Sequence, residues 1–474
     1  MVRLNFTVTL FKLSRVTSIN NFNYRTMQKL LLTSILLLIP FLGFSQTSLT
    51  IEQAINIALE NNYQLKQAEN NRDLADTRVR SAQADFLPSL SAGFSGSRNV
   101  GRQFVQEDLS FEDRTTYGLG GSVNANLTIF DGFANISNLR AARANKESEE
   151  LSYQRLKENV MFDTASRFLE VVLNRELLTI AETNLEASTS QLERITAQVE
   201  VGARPTVDQY NQESVVANDE LAVIQRENAL EVSMARLIRI MQDNTINEVD
   251  PVMPTVDEMA LMPMNLNLQE MISSALEQRS DIRAQEFDIE SNLQNYRIAR
   301  GQHLPTISAS AGVNGSWSDQ LLDPITGEAV SFRDQFFDQN VRRSLGFSIQ
   351  IPIFNRWNTR TNIESAKVQL RNSELAMENV QFQVTEEVRQ AYNDYTSIVK
   401  ELESTEKALI AAERAYETEQ QRYEVGSSTL IELNQANANY VQAQSNRIQA
   451  VYNFVFQEKL LDYYIGQLDN DFQF

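Results

Sequence analysis

Hydrophobic positions along the 474-residue chain change period three times and then run through the same changes again. Apolar residues first recur at helical spacing from Thr50 to Phe86, predicting a helix of about 35 residues. Strict alternation follows: Leu90, Ala92 and Phe94, then Tyr117, Leu119, Gly121, Val123, Ala125, Leu127 and Ile129, with Gly118, Gly120, Ser122, Asn124, Asn126 and Thr128 between them. A period of two, with one apolar side and one small polar side, predicts two β-strands. From Asn135 to Val201 the helical period returns without proline or glycine, and at 1.5 Å per residue it predicts a rod roughly 100 Å long. Val201-Gly202 interrupts the rod, and Val207 to Met241 reads as a shorter helix running back along it.

The second pass is a duplication. Ala58-Leu59-Glu60, Glu69, Arg80 and Leu87-Pro88 match Ala275-Leu276-Glu277, Glu286, Arg297 and Leu304-Pro305 at a constant offset of 217. Ile129-Phe130-Asp131 and Val201-Gly202 match Ile353-Phe354-Asn355 and Val425-Gly426 at 224. The second copy therefore predicts a helix from Leu268 to His303, strands at Thr306 to Trp317 and Leu345 to Ile353, a long helix from Asn358 to Val425 and its return from Leu430 to Ile465. Along the second long helix Val384, Val388, Ala391, Tyr395, Ile398, Leu402, Thr405, Leu409, Ala412, Tyr416 and Tyr423 keep a 4-3 spacing broken only at Glu419. Val160, Thr164, Val171, Leu178, Ala181, Leu185, Leu192, Ile195 and Val199 do the same in the first, with Arg167, Asn174 and Ser188 as weaker steps. Seams of that length require coiled-coil partners. The division expected is an extension and signal peptide at 1–46, a first repeat at 47–241, a linker at 242–265 with Pro251, Pro254 and Pro263, a second repeat at 266–465 and a tail at 466–474.

The N-terminus changes the compartment. Met27-Gln28-Lys29 precedes an apolar run from Leu30 to Phe44 with small residues at Gly43 and Ser45, the layout of a secretory signal peptide, with Met27 the expected start. The run is short for a membrane helix, which takes about 20 apolar residues, and no later stretch approaches that length. Residues 1–46 hold Arg3, Lys12, Arg15, Arg25 and Lys29 and no acid, so the remainder is more negative than the whole chain's net -20. Such a polyanion is a poor partner for nucleic acid or for anionic lipid surfaces. No cysteine and one histidine, His303, exclude disulfides, thiolate catalysis, Cys-ligated zinc and nearly every histidine-based triad. Gly118 to Gly121 lies inside a strand pattern and is no phosphate loop, and no carboxylate spacing marks acid–base catalysis. No enzyme, cofactor or metal site is expected.

Four strands with an apolar side cannot close a membrane barrel, which takes about eight or more, and an open edge is not tolerated in lipid. Several copies must complete it, three giving about twelve strands, while the helices project as a tube. The order helix, Leu-Pro, strand, loop, strand, Ile-Phe-(Asp/Asn), long helix, Val-Gly turn, helix, written twice from residue 49 to 465, resembles the TolC-like outer-membrane efflux proteins. The resemblance implies a mainly α fold with a membrane β-barrel portion, a homotrimer with a twelve-stranded barrel in outer-membrane lipid and a coiled-coil tunnel in the periplasm. It also implies a passive efflux or type I secretion conduit served by a periplasmic adaptor and an inner-membrane pump of the RND or ABC type. The alternative from the residues alone is a secreted or periplasmic coiled-coil protein without a pore.

Candidate site residues fall in three groups. Val201, Gly202 and Ala203, with Val425, Gly426 and Ser427, form the two turns, which are helix caps and which the resemblance makes the adaptor-docking tip. Asp208 and Glu432, six residues beyond each glycine, would form an acidic ring in three copies, and the resemblance adds Tyr423 as an aromatic holding the entrance shut against the first-turn acid. Both acids also read as helix-start carboxylates favoured by the dipole. The resemblance places a further acid at Gln435 and a basic lock at Ser428, and here the sequence departs from it. Phe130, Phe133, Phe354 and Trp357 cluster where strand gives way to helix, as an interfacial aromatic girdle or as plugs beneath the barrel.

Overall fold

Capping chemistry decides where each copy's first helix begins and where it breaks. The Thr50 hydroxyl accepts from the Gln53 N–H at 3.2 Å, and the Gln53 side chain accepts from the Thr50 N–H at 3.0 Å. In the computed structural model, which describes residues 47–105, 110–243, 249–252, 264, 266–323 and 325–467, this cap follows a short strand β1 (Thr47–Leu49) and opens α1 (Ile51–Asn61). Met27, the run from Leu30 to Phe44, Pro254, Pro263 and residues 468–474 lie outside the described residues. Contacts divide the chain into Met1–Thr47 and Ser48–Phe474, and the architecture below is that of the second unit.

The single helix expected from Thr50 to Phe86 is two. Asn62 leaves the helical region (φ -58, ψ 118), and its side chain accepts from the N–H groups of Gln64 and Leu65 at 2.9 and 3.0 Å to start α2 (Tyr63–Ala84). The Gln242 side chain takes the Tyr63 N–H at 2.9 Å, so the break is stabilised from 179 residues away. Leu268 to His303 breaks at the equivalent residue. Arg279, 3% exposed and held by Asp281 and Glu387 at 2.6 and 2.7 Å, separates α5 (Leu268–Gln278) from α6 (Ser280–Gly301).

Between these pairs run β2 (Ser89–Val105), β3 (Ser110–Asp131), the long helix α3 (Ala134–Glu200) and its return α4 (Thr206–Met241). A short strand β4 (Val249–Pro251) lies in the expected linker, where the Val252 N–H donates to the Leu49 carbonyl at 2.9 Å. The second copy continues with β5 (Thr306–Ser318), a turn of helix α7 (Phe332–Asp334) running into a π-helical turn at Gln335–Gln339, β6 (Arg342–Gln350), α8 (Asn358–Glu424) and α9 (Leu430–Ile465). The four helices of each copy are 11, 22, 67 and 36 residues long in both, so the duplication survives unaltered in the helices and has diverged in the strands.

The strands form one antiparallel sheet in the order β2-β3-β5-β6, leaving β2 and β6 as edges. Register puts Phe94 beside Gly121, Val123 beside Val313 and Ala311 beside Leu345 on one side, with Ser91, Asn124, Gly312 and Ser344 on the other. A bulge between Thr128 and Phe130 brings Phe130 opposite Ile307 and onto the apolar side. β2 and β3 run past the expected alternation, and there Arg98 and Arg102 share a side with Val100 and with Phe104 opposite Phe111, while Glu112 and Arg114 lie on the other. β6 stops short of Ile353 because Pro352 has no N–H to give a ladder. On the apolar side Phe336 covers the notch left by Gly121 and Gly315, stacked on Phe332 at 5.0 Å.

Two cores hold the helices. Ile55, Ala58 and Leu65 pack on Val160, Phe168, Val172, Leu237 and Met241; Ile272, Ala275 and Ile282 pack on Val384, Val388, Tyr395, Phe454 and Leu461. Against the expected first seam, Arg167 is exposed and paired with Glu170 at 2.8 Å, and Phe168 and Leu169 take its place beneath α1. The second seam is buried from Val384 to Leu402 and half-buried at Thr405, Leu409, Ala412 and Tyr416.

Where sheet meets helices, Gly132 (φ 72) and Gly301 touch backbone to backbone: a Cβ on Gly301 would lie 2.4 Å from the Gly132 carbonyl oxygen. Gly301→Ala should therefore cost about 1–3 kcal/mol through forced separation of α6 from the β3–α3 corner. Thermal unfolding of the purified protein measures it, and an unchanged midpoint would mean the approach is not tight.

Candidate functional site

The turns at the far ends of the long helices are built by the same backbone motif twice. After Val201 the chain enters the left-handed region at Gly202 (φ 75), whose N–H reaches the Val199 carbonyl at 2.9 Å while the Ala203 N–H reaches Gln198 at 2.8 Å. Gly426 (φ 75) repeats this, with its own N–H on Tyr423 at 3.0 Å and the Ser427 N–H on Arg422 at 2.7 Å. A Cβ at either glycine would meet nothing within 4 Å, so the demand for glycine is conformational and not steric. Val201 and Val425 are left exposed at the turn, 79% and 78%.

The returning helices start differently. Pro205 precedes α4, with Asp208 in its first turn, whereas Thr429 caps α9 reciprocally with Glu432. The Glu432 carboxylate accepts from the Thr429 N–H at 2.8 Å, the Ser428 hydroxyl at 2.9 Å and the Thr429 hydroxyl at 3.1 Å. These donors, the backbone N–H foremost, hold its pKa below the usual carboxylate range. Ser428, at the position of the expected basic lock, stands between two acids, Glu432 and Glu419 (2.6 Å), and Gln435 turns aside to Asn439 at 3.1 Å. Glu419, the step missing from the apolar seam, is thus the acceptor that ties the turn to α8.

Asp208 and Tyr423 are brought together through a third residue, Arg204. Its guanidinium sits 4.4 Å from the Tyr423 ring centroid and 3.5 Å from the Asp208 carboxylate. Burial pushes the Tyr423 phenol up, with Arg204 opposing and Asp208 adding to the rise. Gln191 and Arg204 lie near enough to the buried hydroxyl to oppose that rise but not in hydrogen-bond geometry, so the ring makes the better-formed contact. Around it Ile195, Leu430 and Leu433 form a small core joining the two hairpins. Arg204 was not picked out from sequence, although its i,i+4 spacing to Asp208 is a helix-pair signal.

A cavity of about 470 Å³ opens beside this cluster, lined by Gln191, Arg204, Gln212, Tyr423 and Asn434 among others. Its wall is a polar layer. Gln212, 1% exposed, donates to the Ser188 carbonyl at 3.0 Å and accepts from Asn434 at 3.2 Å, and Asn437 donates to Asn184 at 2.8 Å. Burial raises the neighbouring Asp219 carboxyl, with Ser188 and Asn184 opposing. At the opposite ends of the long helices, Phe133 and Trp357 both take left-handed φ values of 68 and 63 as helix caps. Asp131 accepts from the Asn135 N–H at 2.9 Å and Asn355 from the Thr359 N–H at 3.4 Å, which explains the Asp/Asn of the repeated motif. Phe130 packs edge-on against Phe133 at 5.1 Å, while Phe354 and Trp357 are exposed.

A family model described as outer membrane efflux protein matches residues 54–241 and 271–467. The outer membrane protein TolC of Escherichia coli (strain K12) is 21% identical over 459 residues, 94% of this chain and 87% of that protein. The outer membrane efflux protein BepC of Brucella suis is 21% identical over 429 residues, 90% and 88% of the two chains. Among solved structures, the CmeC outer membrane channel of Campylobacter jejuni superposes with a TM-score of 0.76 at 16% identity, covering 88% of this chain and 86% of that one.

Gly202→Ala and Gly426→Ala should each cost about 1–2 kcal/mol of left-handed strain, with no steric addition. Hydrogen exchange at the turn amides reads this out, and unchanged protection in both variants would contradict it. Glu432 gives a pH test. Because its folded pKa is lowered, its stabilisation is complete above the ordinary carboxylate pKa and is lost as pH falls through the lower folded value. Protection of the Thr429 amide should decline in that acidic window in the wild type and be independent of it in Glu432→Gln.

Proposed function

The chain belongs to the outer membrane efflux protein family, and from that membership we propose that three copies form a passive conduit reaching from a periplasmic adaptor and inner-membrane pump to the cell exterior. It is an outer-membrane efflux channel, its helical part in the periplasm. One observation carries the trimer: a four-stranded sheet whose apolar side is uncovered apart from the Phe336 cluster, with Leu345 91% exposed, and whose edges β2 and β6 have no partner among the described residues. Lipid tolerates an apolar side but not an open edge. Joining β6 of one copy to β2 of the next closes about twelve strands from three copies. The inward side is then lined along most of its height by serine, asparagine and glycine, with Glu112, Arg114 and Arg342 on the same side toward the end away from the helices. Phe130, Phe133, Phe354 and Trp357 sit at the periplasmic interface of the barrel.

The long helices carry the tube roughly 100 Å from the membrane, and Val201, Gly202, Ala203, Val425, Gly426 and Ser427 form the rim on which the adaptor docks. Just inside the rim the channel is shut by the contact of the two hairpins through Arg204, Asp208 and Tyr423, and Glu432 contributes one carboxylate per copy to an acidic ring. Opening is a relative movement of the hairpins that separates Arg204 from Tyr423.

The purified protein should behave as a detergent-requiring trimer by light scattering. In planar bilayers Arg204→Ala and Tyr423→Ala should raise single-channel conductance, while Tyr423→Phe should leave it near wild type, since the hydroxyl makes no bond. Glu432→Gln should reduce cation preference with little change in conductance. A monomer that needs no detergent would sink the conduit; equal conductance in all variants would place the constriction elsewhere.

A further inference from the structure

The two strand-to-helix corners share a backbone and differ in chemistry. At the first, Phe86, Phe130, Phe133 and Ile136 are all apolar. The equivalent residues of the second are His303, Phe354, Trp357 and Arg360, which with Ile353 and Asn355 line a cavity of about 250 Å³. Arg360 lies over the Trp357 ring at 5.0 Å, and no carboxylate pairs with it among the described residues. Arg356, also exposed, replaces Gly132. In a chain of net charge -20, unneutralised arginines on an aromatic corner are a local inversion of sign. Screening over a Debye length makes the local field, and not the total, the one a ligand meets.

The cavity has two ends of different character. Ile353, 95% exposed, lies three residues beyond β6, whose Leu345, Phe347 and Ile349 are on the apolar side, so this end is close to the side of the sheet that faces hydrocarbon in the proposed conduit. The other end holds the Arg360 guanidinium and the His303 ring. The duplication argues that a trimer neighbour would cover Phe354 in part, as Phe130 is half-buried at the first corner, and leave the rest open. The first corner already has α6 and β5 packed beside it, as the second would have a neighbouring copy's α2 and β2, and Phe133 is still 57% exposed.

We propose that each protomer holds here the phosphate of a phospholipid from the periplasmic leaflet. Arg360 makes charge-assisted hydrogen bonds to the phosphate oxygens, His303 supplies a second donor, Trp357 sits at the glycerol level and an acyl chain runs along Ile353 and Phe354. This site rests on the outer-membrane conduit reading, and it runs against the expectation from net charge that anionic lipid is a poor partner. The apolar first corner offers no such headgroup site, so a trimer has one set of three.

The test uses delipidated full-length trimers titrated with phosphatidylglycerol and read by native mass spectrometry. Up to three tightly bound lipids per trimer are expected. The double substitution His303→Phe, Arg360→Ile, which writes the first corner into the second, should weaken their binding about tenfold, or about 1.4 kcal/mol. Arg360→Gln alone should weaken it less, and Ile136→Ala not at all. Diacylglycerol with the same chains should bind the wild type no better than the double variant, and millimolar inorganic phosphate should not displace the phospholipid. Equal phosphatidylglycerol binding by wild type, Arg360→Gln and the double variant would overturn the site, as would diacylglycerol binding as tightly as phosphatidylglycerol or free phosphate displacing the lipid. Light scattering and conductance on the same samples separate the two readings: conducting trimers without this discrimination remove only the lipid site, whereas loss of trimers in the wild type removes the conduit reading and the site with it.

Discussion

A backbone N–H or C=O left without a partner in hydrocarbon costs several kcal/mol, and a strand edge presents a row of them. This chain folds with two such rows, along β2 and β6, flanking a sheet whose apolar side is equally unsuited to water. Neither problem can be solved within one copy. In the assembly proposed above, other copies of the same rows would close them, and the long helices all leave the sheet at one end. In that proposed assembly the stability of the membrane part would be shared among copies, whereas the helical part has its own two cores.

Duplication supplies a second layer of explanation. Because the helices of the two copies agree in length residue for residue, each β-to-α corner and each turn has an internal control within the same chain. Features shared by both copies, such as the left-handed caps at Phe133 and Trp357 or the paired turns at Gly202 and Gly426, belong to the architecture. Features found in one copy only belong to function or to contact between the copies. Arg204 beneath Tyr423 and the cationic corner at Arg360 are of the second kind, and both place a guanidinium on an aromatic ring.

Much of this was legible in the sequence because the relevant forces are local or periodic. Alternation located the strands, and the glycine turns fall at the residues read from the sequence. What escaped depends on residues distant in sequence. The break at Asn62 is stabilised by Gln242, and that at Arg279 by Glu387, neither of which a window around the helix can reveal. The expected first seam included Arg167 because spacing alone cannot tell that α1 will lie over Phe168 instead. At the turns, Arg204, which joins Asp208 to Tyr423, was missed, as was the buried polar layer around Gln212, since both are relations across hairpins.

The matched helix lengths also constrain how such a chain can change over time. One residue added to a 67-residue helix would advance its turn by 1.5 Å and rotate everything beyond it by about 100°, taking its apolar stripe off the neighbouring helices. Seven residues nearly restore the rotation but lift one turn about 10 Å above its counterpart. Only insertions made in both strokes of both hairpins, in heptad steps, keep a level rim. Length is thus inherited here as one quantised character spread over four separate stretches of gene, so these conduits should differ in reach by whole steps and not by drift.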